Sequence, residues 1–155
     1  MKIKRATTSD AEVVASLVLA LLEELSGPER SGYSAGDLSK LAATLLGTKE
    51  LSAIIAEKDG EPIGVLVLNS CASLYAGRFG EITEMYVKPA FRTARVGEML
   101  LTAAAEIARE HSWSRLEVGT PEQPAWSRTL AFYKRNRFIE TGVRLKLEVT
   151  SRRRI

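Results

Sequence analysis

The hydrophobic positions near the amino terminus repeat at the spacing of an α-helix. From Ser9 onward, apolar residues recur every three or four positions, which predicts a helix that follows a short strand at Ile3. Ser9 and Glu12 have the spacing of a capping box, and the Gly27-Pro28 pair is expected to end the helix. The chain is therefore predicted to begin with a strand and a long helix.

A second helical pattern runs from Leu38 to Leu46 and is expected to close at Gly47. The stretch before it, Glu29 to Gly36, is rich in Ser and Gly, which predicts a loop. We expect this loop to border a substrate.

The middle of the chain changes to patterns typical of strands. Apolar and β-branched residues predict strands over Leu51–Ala56, Pro62–Leu68 and Gly80–Val87. The Asp59-Gly60 pair between the first two has the composition of a hairpin turn. These three strands are therefore predicted to form a meander.

The last third alternates between helical and strand periods. One apolar stripe from Val96 to His111 predicts a long helix, after which Leu116–Val118 is a short strand. Trp126–Asn136 is predicted as another helix, and the alternation over Arg144–Thr150 predicts a final strand. Without an internal repeat, this order of elements predicts a mixed α/β fold.

The length of 155 residues fits a single domain, which we assign to residues 1–150, followed by a basic tail at 151–155. A content of 45% hydrophobic and 26% charged residues is typical of soluble globular proteins. No apolar run reaches the roughly 18 residues of a membrane span, and the first residues lack the apolar stretch of a signal peptide. We therefore expect no membrane association and a cytoplasmic location.

The charge of the chain is mildly basic, with a net charge of +3 and a pI near 9.1. A basic nucleic-acid-binding domain is an alternative, which requires aromatic residues interleaved with Arg or Lys on one sheet face. The four Phe, four Tyr and two Trp residues do not cluster in that way. Nucleic acid is therefore not an expected partner.

The sequence contains few residues that could bind a metal or form a disulfide. Cys71 is the single cysteine and His111 the single histidine, so neither a disulfide framework nor a clustered metal site is expected. We interpret Cys71 as a filler of the core or of a strand edge rather than as a nucleophile.

The junction between the third predicted strand and the following helix has the features of an anion site. The first N–H groups of a helix have no internal partner, so with the helix dipole they can bind a phosphate. Arg92 and Arg95 add cationic side chains at this end. The alternative is a surface loop with ordinary solvated arginines.

Here the sequence resembles the GNAT superfamily of N-acetyltransferases. Arg92-Thr93-Ala94-Arg95-Val96-Gly97 is similar to the family's cofactor motif, with Val87-Lys88-Pro89 before it and Leu100-Leu101 after it. Arg95 occupies the place of the motif's first glycine, so its side chain either contacts phosphate or displaces the loop slightly.

A second segment carries the resemblance through most of the chain. Phe132-Tyr133 and Phe138 are in register with the late helix and following strand of the family. Trp126 stands where Asn is common, and Arg137 stands where Gly is common.

The resemblance implies a GNAT fold of the α/β (α+β) class. Its central sheet is mixed, mostly antiparallel and twisted, is flanked by helices, and contains a splayed strand pair that binds acetyl-coenzyme A. No metal is implied. The cofactor-binding residues implied in this way are Met85, Tyr86, Val87, Arg92, Thr93, Ala94, Arg95, Val96, Gly97, Glu98, Trp126, Thr129 and Phe132.

The resemblance also implies catalytic roles. Tyr133 matches the family's proton donor to the departing thiolate, whereas its alternative is a packed aromatic whose hydroxyl is satisfied elsewhere. Glu84 is the favoured base, with Glu81 as its rival and ordered water as a third route. Being three apart on a strand, the two glutamates are expected on opposite faces of the sheet.

The predicted activity is transfer of an acetyl group to a primary amine of a small molecule or of a protein. The main alternative is a non-catalytic module that binds coenzyme A and regulates another process. Acidic side chains near the predicted cleft favour a cationic acceptor, and a homodimer is compatible with the sequence.

Overall fold

The computed structural model describes residues 1–27, 34–121 and 125–149. Within these ranges, no helix combines the length and the apolar character that crossing a membrane requires. Residues 29–33 of the predicted loop lie outside the described ranges, as do Thr150 and the basic tail at 151–155.

The described strands form one five-stranded mixed sheet in the order β1-β2-β3-β4-β5. The first four pair antiparallel, and β5 joins β4 in parallel. This arrangement confirms the predicted mixed, mostly antiparallel sheet. The strands are β1 Lys2–Arg5, β2 Leu51–Lys58, β3 Glu61–Ser73, β4 Gly77–Val87 and β5 Leu116–Val118.

Helices flank this sheet, as the apolar periodicity predicted. They are α1 Ala11–Ser26, α2 Ala35–Leu46, α3 Val96–Glu110 and α4 Ser127–Arg135, with short 3₁₀ turns at Thr8–Asp10 and Pro89–Phe91. The end of the predicted loop, Ala35 and Gly36, is helical instead. The cause is the Ser34 side chain, which accepts a 3.0 Å hydrogen bond from the Asp37 N–H and so caps α2 earlier than expected.

The entry into α1 differs from the predicted capping box at Ser9 and Glu12. Asp10 Oδ2 accepts a hydrogen bond from the Thr7 N–H at 2.8 Å, and the Asp10 N–H donates to the Thr7 carbonyl at 2.9 Å. The reciprocal bonds form here because the chain makes a 3₁₀ turn before the helix begins. At the other end, Gly27 ends α1 as predicted, with a φ of 83°.

Two hydrophobic clusters lie on the two faces of the sheet. One packs α3 and α4 against Leu66, Leu68 and Ile82, and the other packs α1 against Val65 and Val67. Since alternate residues of a strand point to opposite faces, the continuous apolar run in β3 follows from burial on both sides.

The predicted strand over Arg144–Thr150 is wrong for the part that the structure describes. Residues 139–149 have no regular secondary structure, and β5 is the last strand in the sheet order. Alternation along a segment indicates that it suits a strand, but a strand also needs a neighbour to complete its hydrogen bonds. No such ladder forms here within the described part of the single chain.

The packing on Gly80 of β4 gives a direct test of the fold. A Cβ at this position would lie 2.5 Å from Cζ3 of Trp113 and 3.0 Å from Cδ2 of Leu116. Gly80→Ala should therefore lower the free energy of unfolding by about 1–3 kcal/mol, measured by urea denaturation. Gly36→Ala in α2 is the matched control, because nothing lies within 4 Å of its Cβ, and it should leave stability unchanged or higher. Equal stability of the two variants would show that Trp113 does not pack on β4.

Candidate active site

A gap opens between β4 and β5 where their pairing stops. The two strands pair only at Gly80–Ile82 with Leu116–Val118, whereas β4 continues to Val87. On its other side β4 stays paired with β3 through Val87. The backbone of Thr83–Val87 therefore presents a free edge, whose N–H and C=O groups can bind an extended ligand. This divergence is the geometry expected of a splayed strand pair.

A β-bulge in β4 lies at the start of the free edge. Ile82 is opposite Leu68 of β3 and Glu84 is opposite Val67, so Thr83 is an extra residue. An inserted residue of this kind shifts the alternation of side chains that follows it.

The bulge overturns the expectation that Glu81 and Glu84 lie on opposite faces. Glu81 is opposite Asn69 and Glu84 is opposite Val67, which are two residues apart on β3. Residues two apart on a regular strand share a face, and so do their partners. Both carboxylates are therefore on the side of the sheet that carries α1.

The environment of Glu84 raises its affinity for a proton. Burial raises the pKa of the Glu84 carboxyl above its usual range, and the neighbouring charge of Glu81 raises it further. The Thr83 hydroxyl opposes this effect in part by donating a 2.6 Å hydrogen bond to Glu84 Oε1. Glu84 is thus a proton acceptor with a raised affinity for the proton.

A third carboxylate joins this face, and sequence reasoning missed it. Glu117 of β5 is directly opposite Glu81 in the parallel pairing. Arg144 pairs with Glu81, and Arg115 pairs with Glu117 at 2.7 Å. Only the register of β4 with β5 brings the two glutamates together, so no local pattern reveals them.

Tyr133 of α4 lies on the other face, beside the free edge. Its side chain is 6% exposed, and its hydroxyl is 3.5 Å from Sδ of Met85. Burial raises the pKa of the Tyr133 phenol to about 12. Since Met85 directly follows Glu84 on the strand, the phenol and the Glu84 carboxylate flank the free edge from opposite sides.

The first turn of α3 points unpaired N–H groups away from the helix. The first intrahelical hydrogen bond runs from the Met99 N–H to the Arg95 carbonyl, at 3.2 Å. The N–H groups of Val96, Gly97 and Glu98 precede it, so helix geometry gives them no acceptor within the helix. They are the donors of the anion site that the sequence predicts, and binding of an anion at this turn stays a prediction.

Gly97 allows this helix end to approach β4 and α4 closely. A Cβ at Gly97 would lie 2.9 Å from Cζ of Phe132 and 3.1 Å from Cε of Met85. Such contacts are shorter than packed side chains tolerate, so the glycine fixes the distance between the first turn of α3 and the free edge.

Arg95 keeps a backbone conformation that usually requires glycine. It precedes α3 with a φ of 63°, in the left-handed region. Its side chain is 80% exposed and pairs with Glu98 at 2.7 Å. The arginine therefore preserves the left-handed turn, and its charged group stays at the surface beside the first turn of α3.

Arg92 is held by the protein itself. Its Nε donates a 2.8 Å hydrogen bond to the Val87 carbonyl, and its Nη2 pairs with Glu24 of α1 at 2.7 Å. The guanidinium also lies 5.5 Å from the centroid of the Tyr86 ring. Arg92 thus connects the loop before α3 to β4 and α1, a link across 68 positions that the sequence does not reveal.

The remaining predicted cofactor residues lie in the turn before α3 and in or directly before α4. Thr93 and Ala94 are exposed in the turn before α3. Trp126 directly precedes α4, and Thr129 lies one turn before Phe132 on that helix.

Among the described residues, no three His, Cys, Asp or Glu side chains are grouped so that they could hold a metal ion. Burial raises the pKa of the half-buried Cys71 thiol, which disfavours the nucleophilic thiolate.

Comparison with known families identifies the chain. The sequence profile of the acetyltransferase (GNAT) family matches residues 18–138, which is more than half of its length. The protein is a member of the GNAT acetyltransferase family. Among curated protein sequences, none matches this chain significantly.

Solved structures share the fold of this GNAT protein at low sequence identity. A probable acetyltransferase has a TM-score of 0.81 at 22% identity, with 97% of this chain and 100% of that chain covered. A ribosomal-protein-alanine N-acetyltransferase from Brucella melitensis biovar Abortus 2308 has a TM-score of 0.72 at 23% identity, covering 96% and 99%. An aminoglycoside N-acetyltransferase in complex with coenzyme A has a TM-score of 0.76 at 18% identity, covering 97% and 94%.

The left-handed backbone at Arg95 predicts a difference between two substitutions. Arg95→Gly and Arg95→Ala both remove the ion pair with Glu98, but only glycine adopts a positive φ without strain. The glycine variant should therefore be more stable than the alanine variant by about 1 kcal/mol in urea denaturation. Identical stabilities would contradict the left-handed conformation.

Proposed function

We propose that this GNAT protein transfers the acetyl group of acetyl-coenzyme A to an amine of a small cationic molecule. The observation that carries the proposal is the placement of Tyr133 and Glu84 on opposite sides of the free edge of β4. A thioester at this edge would have a proton donor on one side and a proton acceptor on the other.

Two groups of backbone donors fit the shape of coenzyme A. The unpaired N–H groups in the first turn of α3 suit its pyrophosphate, and the free edge at Met85 suits an amide of its pantetheine arm. The Val87 carbonyl already accepts a bond from Arg92, so Arg92 is assigned a bracing role rather than direct contact with phosphate. Arg95 remains the cation proposed to meet the phosphates.

Tyr133 is assigned the role of general acid. As the carbon–sulfur bond breaks, the Tyr133 hydroxyl donates its proton to the sulfur. Because its pKa is about 12, the phenol stays protonated throughout the neutral range. The ionised form of Tyr133, which cannot donate a proton, is therefore a minor species in that range.

Glu84 is assigned the role of general base. It accepts the proton that the amine nitrogen releases as this nitrogen bonds to the acetyl carbon. Its raised pKa brings the carboxylate closer in proton affinity to the amine, which makes the transfer more favourable than to an ordinary surface carboxylate.

The charges on the α1 side of the sheet favour a cationic acceptor. Arg144 and Arg115 already neutralise Glu81 and Glu117, whereas the hydrogen bond recorded on Glu84 comes from the neutral Thr83. An ammonium group would therefore be attracted to Glu84. Structures of aminoglycoside acetyltransferases are among the fold's neighbours, and aminoglycosides are polycationic amines of the proposed kind.

The acetyl acceptor can be identified with an activity screen. A panel of polyamines, aminoglycosides, amino acids and peptide amines, incubated with acetyl-coenzyme A, would report turnover through release of the free thiol. Activity with cationic small molecules supports the proposal. Turnover of peptide amines alone would move the acceptor to proteins, and a lack of turnover together with binding of coenzyme A would favour the regulatory module.

Tyr133→Phe should lower kcat by roughly 10²-fold to 10⁴-fold, because the ring still packs and only the proton donor is lost. Coenzyme A affinity, measured by calorimetry, should stay within a few-fold of the parent. In the parent, the rate should show no fall at alkaline pH until the phenol ionises near pH 12. Phe138→Leu is a control for packing, since Phe138 contacts the Tyr133 ring edge-on at 5.2 Å. Full activity of the phenylalanine variant would remove Tyr133 from the mechanism.

Glu84→Gln should also lower kcat by roughly 10²-fold to 10⁴-fold and should change the pH profile. In the parent, the rate falls as the pH drops through the raised pKa of Glu84, because the protonated carboxyl cannot accept a proton. Glutamine does not titrate, so this acid limb should be absent in the variant, whereas the limb due to the substrate amine remains in both.

Glu81→Gln is the matched control for this test. Glu81 is on the same face and pairs with Arg144, so its loss should affect acceptor KM more than kcat. If Glu81→Gln instead removed the acid limb and Glu84→Gln did not, the two roles would be reversed.

A further inference from the structure

The loop between β4 and α3, residues 88–95, is anchored where it begins. The Lys88 N–H donates a hydrogen bond of 2.8 Å to the Ile63 carbonyl of β3. The Lys58 ammonium of β2 lies 5.7 Å from the centroid of the Phe91 ring. The first half of the loop is therefore held by the hairpin of β2 and β3.

The second half of the loop is tied to a different element, and the contact is made by Arg92. Residues 93–94 are exposed, and the Arg95 side chain pairs with Glu98 in the helix that the loop enters. The Arg92 side chain instead reaches Glu24, which lies in the last turn of α1. Arg92 and Glu24 thus connect the part of the loop nearest to α3 with a helix from the start of the chain.

Two acceptors hold the Arg92 guanidinium, and each accepts from a different nitrogen. The Nε atom donates to the Val87 carbonyl at 2.8 Å, and the Nη2 atom donates to Glu24 Oε1 at 2.7 Å. Two bonds from separate nitrogens fix a planar guanidinium in direction as well as in position. With Glu24 replaced, the Val87 bond alone would leave the group free to rotate about that contact.

The loop leads directly into the first turn of α3, whose N–H groups are the donors proposed to bind the pyrophosphate of coenzyme A. A loop that is ordered before a ligand binds lowers the entropic cost of binding. The Glu24 carboxylate would repel a phosphate, so a favourable effect of Glu24 on coenzyme A has to act through Arg92.

We propose that Glu24 is a positioning residue for coenzyme A. Its carboxylate holds Arg92, and through Arg92 it holds the loop so that the first N–H groups of α3 face the pyrophosphate. This inference rests on the proposed binding of acetyl-coenzyme A at that turn.

Electrostatics alone makes the opposite prediction. The removal of a negative charge close to a site for an anion should strengthen the binding of that anion. Release of the Arg92 Nη2 atom would act in the same direction if the guanidinium then turned to a phosphate. Loss of positioning weakens the binding instead. The sign of the change in affinity therefore distinguishes the two effects.

Glu24→Gln should raise the Kd of coenzyme A, measured by calorimetry on the full chain, by roughly two-fold to five-fold, as expected for a partly exposed ion pair. The loss should appear in the KM for acetyl-coenzyme A rather than in kcat. Glu23→Gln is the matched control, because it removes the same charge one position earlier on α1 and should bind coenzyme A as tightly as the parent or slightly more tightly.

Equal or tighter binding by Glu24→Gln than by the parent would overturn the positioning role while leaving the proposed function intact. A parent that does not bind coenzyme A would overturn both.

A double variant tests whether Glu24 acts through Arg92. Arg92→Gln removes both hydrogen bonds of the guanidinium and should weaken the binding of coenzyme A by itself. In that background Glu24→Gln should cause no further loss of affinity, because its partner is already absent. Losses that add in full would show that Glu24 acts by another route, and the proposal would be wrong.

Hydrogen exchange tests the order of the loop without any ligand. The backbone N–H groups of residues 92–97 should exchange faster in Glu24→Gln than in the parent or in Glu23→Gln, measured by mass spectrometry. This readout does not depend on coenzyme A, so it separates the ion pair's effect on the loop from the proposed function. Equal exchange in all three proteins would show that the loop is ordered without Glu24, which would contradict the proposal.

Discussion

The candidate site depends on the unequal pairing of β4. On one side this strand is hydrogen bonded to β3 along most of its length, and on the other it is bonded to β5 over three residues only. Full pairing on one side holds the strand rigidly in the core, so that the free edge on the other is available without a loss of order. Glu84 lies at this edge on the face of the sheet that carries α1, and Tyr133 of α4 lies at the same edge on the opposite face.

The loop before α3 gains its position from contacts that do not touch a ligand. Arg92 reaches the end of β4 and the end of α1 at once, through Val87 and Glu24. The loop is therefore tied to the last residue of β4 and to α1 by the protein's own contacts, and preorganisation of this kind lowers the ordering cost of binding a ligand. The same ion pair holds the last turn of α1 close to the loop.

The helices and central strands could be predicted from the sequence. An element that is buried against the core carries apolar residues at the spacing of its own geometry, and this spacing is visible in the sequence. The unpaired N–H groups at the start of α3 were also predictable, since they follow from helix geometry, whereas binding of an anion there stays a prediction. The shared face of Glu81 and Glu84 was not, because the bulge at Thr83 adds a single residue with no signature of its own. Residues 144–149 show a further limit: alternation indicates a preference for a strand, but it does not specify the neighbour that a strand requires.

The close approach at Gly97 constrains how this protein can change over time. The space that a side chain at position 97 would need is filled by the rings and methyl groups of Phe132 and Met85. A larger residue at position 97 would displace both Phe132 of α4 and Met85 of β4. The residue tolerated at position 97 is therefore coupled to the side chains at positions 85 and 132, and substitutions at these three positions should not be additive.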